Sequence, residues 1–432
     1  MIRSLLFLFI SAFILTGTLN TSLNIFPLAL KEVVTIFTFI FLALIGLTKR
    51  KNIVLKIDWG DRIFLGYIIF ITIIPYLVNS SYLTIDTGSV FGYFIPVKIY
   101  IVYRIFMMFI DEYSSINKTE TFPFEITNVL LVIAFTSAII SLLMYLPGFN
   151  PIIEWLWPIT TNGQIVSIYK WKRLWGTMSA TNGAASFFSM CGFISLYSYL
   201  NLNKKKYFYY FFVFMSCLIL SGSFSSIFAA FVGLFLFSKK FKVKGFNKIL
   251  YGGIAISVLM ILSSSEFSDV VMDRFLRNFN SPESWGILPS NLFYRLGYWS
   301  DQFFYLFKES VFIFGFGPGG IRNLWWQSLI EIHANPESFY MAIILESGLF
   351  GFSFLIIFFK LILNKTNYLI KNSFVKNDAY FLKILLIMIM ISNIGNMSLY
   401  YGGNLEIFAF IVATIHSYYY YYKIPLKARL SR

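Results

Sequence analysis

The sequence predicts an all-α membrane protein that crosses the bilayer many times. Of its 432 residues, 58% are hydrophobic and only 13% are charged, whereas soluble domains average about 25% charged residues. Its mean hydropathy is +0.71. Apolar runs reach the roughly 20 residues that a helix needs to cross a bilayer. Twelve candidate spans lie near residues 3–20, 28–48, 62–79, 88–110, 126–146, 183–201, 206–221, 223–238, 247–264, 336–363, 380–398 and 404–422.

The distribution of Lys and Arg predicts how these spans are oriented. Clusters of basic residues fall in alternate loops, near residues 49–62, 204–206, 239–248, 365–376 and 423–432. Cytoplasmic loops carry an excess of Lys and Arg, so both termini are predicted to be cytoplasmic. The net charge of +15 follows from these loops, and we expect no nucleic-acid partner.

We expect one integral membrane domain, residues 1–432, with two long loops on the side opposite the termini. These loops cover residues 147–182 and 265–335, and the second is rich in Trp, Phe, Pro and Gly. Its half-amphipathic stretch at 296–308 is predicted to lie on the outer membrane face. The first apolar run has no small-residue cleavage site after it, which predicts a retained span. Cys191 and Cys217 both lie in apolar runs, which favours neither a disulfide nor a metal site.

A polar cluster opens the tenth predicted span. Asn335, Pro336 and Glu337 read as the N-cap, the first helical residue and a first-turn carboxylate. This places the positive end of a helix dipole at the outer membrane face. His333 or Glu337 can accept a proton from a hydroxyl there. The structural alternatives are a histidine bonded to backbone and a simple first-turn helix stabiliser.

Further along the same span, Glu346 is predicted to lie near mid-bilayer, where a carboxylate must be paired or neutralised. Lys98 and Arg104 of the fourth span are its candidate partners. Gly348 and Gly351 share a helix face and are expected to allow close approach of another helix.

Cytoplasmic loops normally carry the excess of Lys and Arg, so arginines in the outer loops are unexpected and indicate a function. Arg173 lies in a basic and aromatic stretch with Lys172, and Arg295 lies in the second loop. The alternative is an interfacial aromatic anchor with solvated cations. The glycine-rich run at 314–320 offers backbone N–H groups for an anion. No metal-hydrolase, nucleotide-binding or serine-hydrolase motif is present, so any transfer chemistry is expected to need neither metal nor cofactor.

Several ordered motifs resemble the superfamily of O-antigen polymerases (Wzy) and O-antigen ligases, which build bacterial envelope glycans. RLWGTMSATNG at 173–183 is similar to its R-x-x-G-T-x-x-x-x-N element, and LSGSFSSIFA at 220–229 resembles its T/S-G-S-R element, with Phe224 in place of Arg. The run from Arg295 to Trp299 and FGFGPGG at 314–320 resemble R-x-x-x-W and G-x-G-P-G. ESFYMAIILESGLFG at 337–351 resembles the H-N/S motif followed by G-x-x-G.

One departure bears on the activity. Where ligases carry the motif's His, this chain has Glu337, and its nearest His is His333. The resemblance therefore favours a polymerase and leaves the base open between these two residues. It implies Arg173 and Arg295 as a pyrophosphate clamp. The implied substrate-binding residues are Lys172, Asn182, Tyr298, Trp299, Arg322, Asn335, Ser338 and Tyr340.

The resemblance implies a GT-C-like fold of about twelve helices and a glycosyltransferase of the inner membrane with a periplasmic active site. Its donor and acceptor would be glycans linked to undecaprenyl pyrophosphate. Membrane lipid, a chain-length regulator and a flippase of the same pathway are the implied partners. The alternatives are an O-antigen ligase acting on lipid A core and a lipid-linked oligosaccharide flippase or transporter.

Overall fold

The computed structural model describes residues 2–15, 30–48, 61–62, 64–66, 69, 95–116, 122–145, 173–175, 177, 180–241, 290–317, 337–372, 374–397, 399 and 403–423. These residues are 88% helical and contain no strand. The predicted all-α class is therefore confirmed for this part of the chain.

Eleven helices are present in these ranges. They are α1 Ile2–Leu15, α2 Leu30–Thr48, α3 Ile95–Ile116, α4 Phe124–Tyr145, α5 Thr181–Leu202, α6 Lys205–Ser221, α7 Phe224–Phe241, α8 Ser290–Lys308, α9 Phe339–Asn372, α10 Lys376–Ser392 and α11 Asn404–Lys423. All except α8 coincide with predicted spans. The predicted spans at 62–79 and 247–264 lie mostly or wholly outside the described residues, so the number twelve stays a prediction.

Within the described residues, four helices are long and apolar enough to cross a membrane, which supports a membrane-embedded protein. They are Phe124–Met144 of α4, Thr181–Leu202, Phe224–Phe241 and Phe339–Lys371 of α9. Within α9, little more than a third of the most apolar stretch is buried inside the protein, 39%. The rest of that stretch is half-buried or exposed, which is compatible with a helix that contacts lipid on one side.

Short turns connect three consecutive helices and fix their antiparallel order. Helix α5 ends at Asn203, which adopts a left-handed conformation with φ 50° and donates its N–H to Tyr199 O. Helix α6 ends in the same way at Gly222, with φ 62°. A left-handed residue after a helix satisfies late carbonyl groups and reverses the chain. Helices α5, α6 and α7 therefore follow one another as neighbouring antiparallel elements.

The two ends of the bundle differ in composition. One end of each of α5, α6, α7, α9, α10 and α11 meets the others through the hydrogen bonds described below. Each helix is at least about 25 Å long at 1.5 Å per residue, so its other end lies far away. Those far ends carry a group of lysines, namely Lys204, Lys205, Lys206, Lys239, Lys240, Lys371, Lys376 and Lys423. This asymmetry agrees with the predicted alternation of basic loops.

The predicted partners of Glu346 are engaged elsewhere. Lys98 Nζ lies 3.8 Å from Glu32 Oε1, and Arg104 Nη1 lies 3.6 Å from Asp61 Oδ2. The pairing prediction for Glu346 was therefore wrong. Sequence spacing identifies which charges need neutralisation, but the choice of partner depends on which helices pack together, and here α3 packs on α2 and α11.

Helix α9 is interrupted at Gly348, which has φ 64° and ψ −168°. The chain that follows α8 packs directly on this break. Phe316 and Gly317 donate their N–H groups to Leu345 O and Glu346 O over 2.8 and 2.9 Å. In return, the N–H groups of Leu349 and Phe350 donate to Phe312 O and Ile313 O over 3.0 and 3.1 Å. We call these residues, 311–317 and 345–350, the α8–α9 junction.

The junction corrects two expectations. Gly348 admits a close loop rather than a neighbouring helix, because a Cβ atom there would lie 2.2 Å from Ile313 O. The N–H groups of residues 314–317 are also all engaged, either by Val311 O or by α9 carbonyls. The described part of the glycine-rich run therefore has no N–H group left for an anion.

Candidate functional site

A short polar segment after α10, residues 392–396, lies where several helix ends meet. The carbonyl of Asn393 accepts the N–H of Phe339, the first residue of α9, over 3.2 Å, and Asn396 O accepts the same N–H over 3.1 Å. The Asn393 side chain donates to Ile389 O and accepts from Leu399 N. These bonds hold the start of α9 against the end of α10.

Arg295 of α8 reaches this segment from one side. Its Nε donates to Glu337 Oε2 over 2.8 Å and its Nη1 donates to Gly395 O over 2.6 Å. The Arg295 side chain is only 18% exposed to solvent, whereas the Glu337 side chain is 41% exposed. Charge-assisted bonds of this length are among the stronger hydrogen bonds in proteins.

Gly395 has little room for a side chain because of this contact. A Cβ atom at Gly395 would lie 2.9 Å from Arg295 Nη1. The glycine thus lets the guanidinium reach the backbone carbonyl.

Arg173 reaches the same region from another side. Its Nε donates to Ser221 O at the end of α6 over 2.8 Å, and its Nη2 donates to Asn182 Oδ1 in the first turn of α5 over 2.9 Å. The last carbonyls of a helix have no partner within the helix and carry partial negative charge. Arg173 therefore fastens the end of α6 to the start of α5.

Asn396 links the two arginines. Its Nδ2 donates to Asn182 O over 3.1 Å and approaches Ser226 Oγ at 3.4 Å, while its neighbour Gly395 holds Arg295. Its Oδ1 is buried and has no hydrogen-bond partner among the described residues. Residues 392–396 together with Arg173, Asn182, Arg295 and Glu337 are called the hub.

Serine hydroxyls extend this network into the bundle. Ser392 Oγ donates to Ser186 Oγ over 3.1 Å, and Ser226 Oγ lies 3.3 Å from Ser392 Oγ. Asn404 at the start of α11 donates its Nδ2 to Gly183 O over 2.8 Å. All six of the helices named above thus start or end on one connected set of polar contacts.

The predicted start of α9 was wrong. Helix α9 begins at Phe339 rather than after Asn335, and Glu337 precedes it with φ 47°, in the left-handed region that a right-handed helix excludes. Ser338 takes the capping position, since its Oγ lies 3.5 Å from Met341 N. Glu337 is therefore the partner of Arg295 and not a first-turn carboxylate.

The remaining predicted substrate residues divide into two groups. Tyr298 and Trp299 follow Arg295 on α8, exposed and half-buried respectively, whereas Tyr340 donates its hydroxyl to Met390 O over 2.9 Å and Ser338 is buried against Asn393. Four predicted site residues lie outside the described residues, namely His333, Lys172, Arg322 and Asn335.

Sequence reasoning missed the segment 392–396, which accepts a hydrogen bond from Arg295 through Gly395 O and contacts Asn182, the partner of Arg173, through Asn396. Its sequence, Ser-Asn-Ile-Gly-Asn, is typical of an ordinary turn between two apolar runs. The one available signal was two asparagines at the end of a span.

No protein-family model matches the chain, and no curated protein matches it.

Proposed function

We propose that the chain polymerises oligosaccharide repeat units linked to undecaprenyl pyrophosphate. The product is an O-antigen or capsule-type polysaccharide, made at the periplasmic face of the bacterial inner membrane. One observation carries the proposal. Arg173 and Arg295, which lie far apart in the sequence, belong to one hydrogen-bonded hub at the end of a membrane-embedded bundle. An anionic group at a membrane face is the substrate feature that such a site fits.

Arg295 is the residue assigned to the pyrophosphate. The planar guanidinium binds phosphate oxygens in pairs and stays charged at any relevant pH. Its present carboxylate partner, Glu337, is itself partly exposed. Phosphate oxygens can therefore replace Glu337 on Nε without opening the packed core.

The reaction is a displacement at the anomeric carbon of the donor glycan. The acceptor hydroxyl oxygen forms a bond to that carbon, and the bond from the carbon to the pyrophosphate oxygen breaks. The hydroxyl proton passes to Glu337 or His333, and undecaprenyl pyrophosphate leaves with the bonding electrons. Arg295 stabilises the negative charge that develops on the leaving group.

Arg173 is assigned a second role in this proposal. Two of its nitrogen atoms already hold Ser221 O and Asn182 Oδ1. It therefore keeps the ends of α5 and α6 in register and adds positive charge beside the pyrophosphate. The start of α9 directs the positive end of its helix dipole toward the pyrophosphate. Two of its N–H groups, those of Phe339 and Met341, already donate to acceptors within the protein.

A reconstituted assay tests the proposed activity. Purified protein in liposomes is supplied with lipid-linked repeat units and neither nucleotide, ion gradient nor added metal. We expect a ladder of glycans that differ by one repeat unit. Transfer of the glycan to lipid A core would identify a ligase instead, and movement of the substrate across the bilayer without a new glycosidic bond would identify a flippase.

Replacing Arg173 with alanine is expected to lower both stability and turnover. Two hydrogen bonds are lost, each worth about 1.5 to 3 kcal/mol when a charged group donates it. The apparent melting temperature in detergent and the ladder assay measure the two effects. Lys205→Ala removes an exposed cation at the lysine-rich end and should leave both unchanged. An Arg173→Ala protein with normal stability and normal ladders would contradict its role in the hub.

Ion-coupled transport is the second candidate function, and buried charges inside the bundle favour it. Arg104 and Asp61 form a buried pair, and Tyr103 Oη lies 2.7 Å from His416 Nδ1. Ionisable groups within membrane helices commonly mark ion or proton pathways. Substrate translocation that depends on an ion gradient, with no ladder, would support this candidate over the polymerase.

A further inference from the structure

Helix α8 has three distinct faces. One face is directed to the protein, where Gln302 and Leu306 are fully buried and Arg295 and Trp299 are half-buried. A second face carries exposed polar residues, Asp301 and Lys308 among them. The third face is apolar and exposed, and this pattern is typical of a helix that lies in a membrane interface.

The exposed apolar face is called the α8 stripe. It consists of Leu296, Phe303, Phe304 and Phe307, which are 46%, 37%, 68% and 51% exposed. Leu296, Phe303 and Phe307 are separated by seven and four residues, so they project from one side of the helix. Three exposed phenylalanines thus lie within five residues of one helix, and a contiguous exposed apolar patch commonly marks a protein or membrane contact site.

The stripe continues into the surface of a membrane-spanning helix. Phe303 and Phe307 both contact Phe312, with ring centroids 5.2 and 4.0 Å apart. The next residue, Ile313, is 56% exposed, and its carbonyl accepts the N–H of Phe350 on α9.

From Phe350 the apolar surface passes along α9 itself. Leu349 and Phe350 are exposed, as are Ile356 and Ile357 further along this helix. Helix α9 is one of four helices among the described residues that are apolar enough to span a membrane, and the residues of its apolar stretch that are not buried are half-buried or exposed. The α8 stripe is thus the continuation of a lipid-facing surface.

We propose that the α8 stripe binds the acyl chains of the bilayer, so that α8 lies in the membrane interface on the hub side. The polar face with Asp301 and Lys308 then meets headgroups and water. Because Arg295 lies on a different face of the same helix, lipid contact along the stripe holds this arginine against Glu337 and Gly395. This inference does not depend on the proposed glycosyl transfer.

Site-directed spin labelling of the full-length protein in nanodiscs tests the inference. The two native cysteines, Cys191 and Cys217, are both buried, which favours selective labelling of one introduced cysteine. Labels are placed at Phe304 and Phe307 on the stripe, with Asp301→Cys and Lys308→Cys as matched controls on the same helix. Collisions with oxygen, which concentrates in lipid, are compared with collisions with a water-soluble nickel chelate.

The stripe labels should collide more often with oxygen than with the chelate, and the control labels should show the reverse ratio. More frequent collision with the chelate at Phe304 and Phe307 would overturn the inference. Shielding from both reagents would also overturn it, because a protein surface would then cover the stripe.

A second measurement uses the unaltered protein and so does not depend on folding of the variants. A phospholipid with a photoactivatable group on its acyl chain is included in the nanodisc, and cross-linked peptides are identified by mass spectrometry. Adducts should occur on the peptide that contains residues 303–307. Their absence there, with adducts present on α9, would contradict the inference.

Discussion

Replacing Arg295 with alanine is expected to reduce glycan polymerisation by about 10²- to 10³-fold, the usual effect of removing one donor that stabilises developing negative charge. The substitution removes the Nε bond to Glu337 and the Nη1 bond to Gly395. It also removes the group assigned to the departing pyrophosphate. The measurement is the initial rate of ladder formation at saturating lipid-linked substrate.

Two further variants separate charge from geometry at this position. Arg295→Lys keeps the positive charge but lacks the planar fork, so we expect it to recover only part of the activity. Lys308→Ala removes an exposed cation from the same helix and should leave the rate unchanged. An Arg295→Ala protein that polymerises at the wild-type rate would remove Arg295 from the proposed mechanism.

Replacing Gly348 with alanine is expected to destabilise the protein by about 3 kcal/mol or more, since steric overlap and an unfavourable backbone conformation act together. A Cβ atom at this position would lie 2.2, 2.4 and 2.5 Å from Ile313 O, Ile313 C and Phe314 N. All three are backbone atoms of the junction and cannot rotate away. The apparent melting temperature in detergent should fall, and so should turnover, because the junction anchors the helix that carries Arg295.

Gly297 offers the matched control on α8. It lies within the helix, and a Cβ atom there would meet nothing within 4 Å. Gly297→Ala should therefore stabilise the protein slightly, by roughly 0.5 to 1 kcal/mol, because alanine favours a helix more than glycine does. Equal stability of Gly348→Ala and Gly297→Ala would show that the junction does not need a glycine at 348.

Most helices of the described chain could be located from the sequence because their signal is local. Apolar runs of spanning length identified ten of the eleven helices, and the half-amphipathic pattern at 296–308 identified α8. The hydrophobic pattern of a helix lies within its own segment, so it can be recognised without knowing which other helices that segment packs against.

The start of α9 shows where local signals fail. Asn335, Pro336 and Glu337 form a strong capping pattern, yet the helix begins at Phe339. The contact of Glu337 with Arg295, 42 residues away, accompanies a left-handed backbone that ends the helical path. A tertiary ion pair of this kind has no signature in the capping residues themselves.

The hub was only half predictable for the same reason. Arg173 and Arg295 stood out because cations on the outer side oppose the topological bias. Asn396 and Gly395, which connect them, look like turn residues, and their importance arises from which helix ends meet. The break at Gly348 was also hidden, because a single glycine is tolerated in an otherwise helical pattern.

The position of bound undecaprenyl pyrophosphate would show directly whether Arg295 binds the leaving group. In a cryo-electron microscopy structure of the full-length protein in nanodiscs with this lipid, we expect diphosphate density within hydrogen-bond distance of the Arg295 guanidinium, with Glu337 displaced from Nε. Diphosphate density beside Lys98, between α2 and α3, with the bond from Arg295 to Glu337 intact, would contradict it.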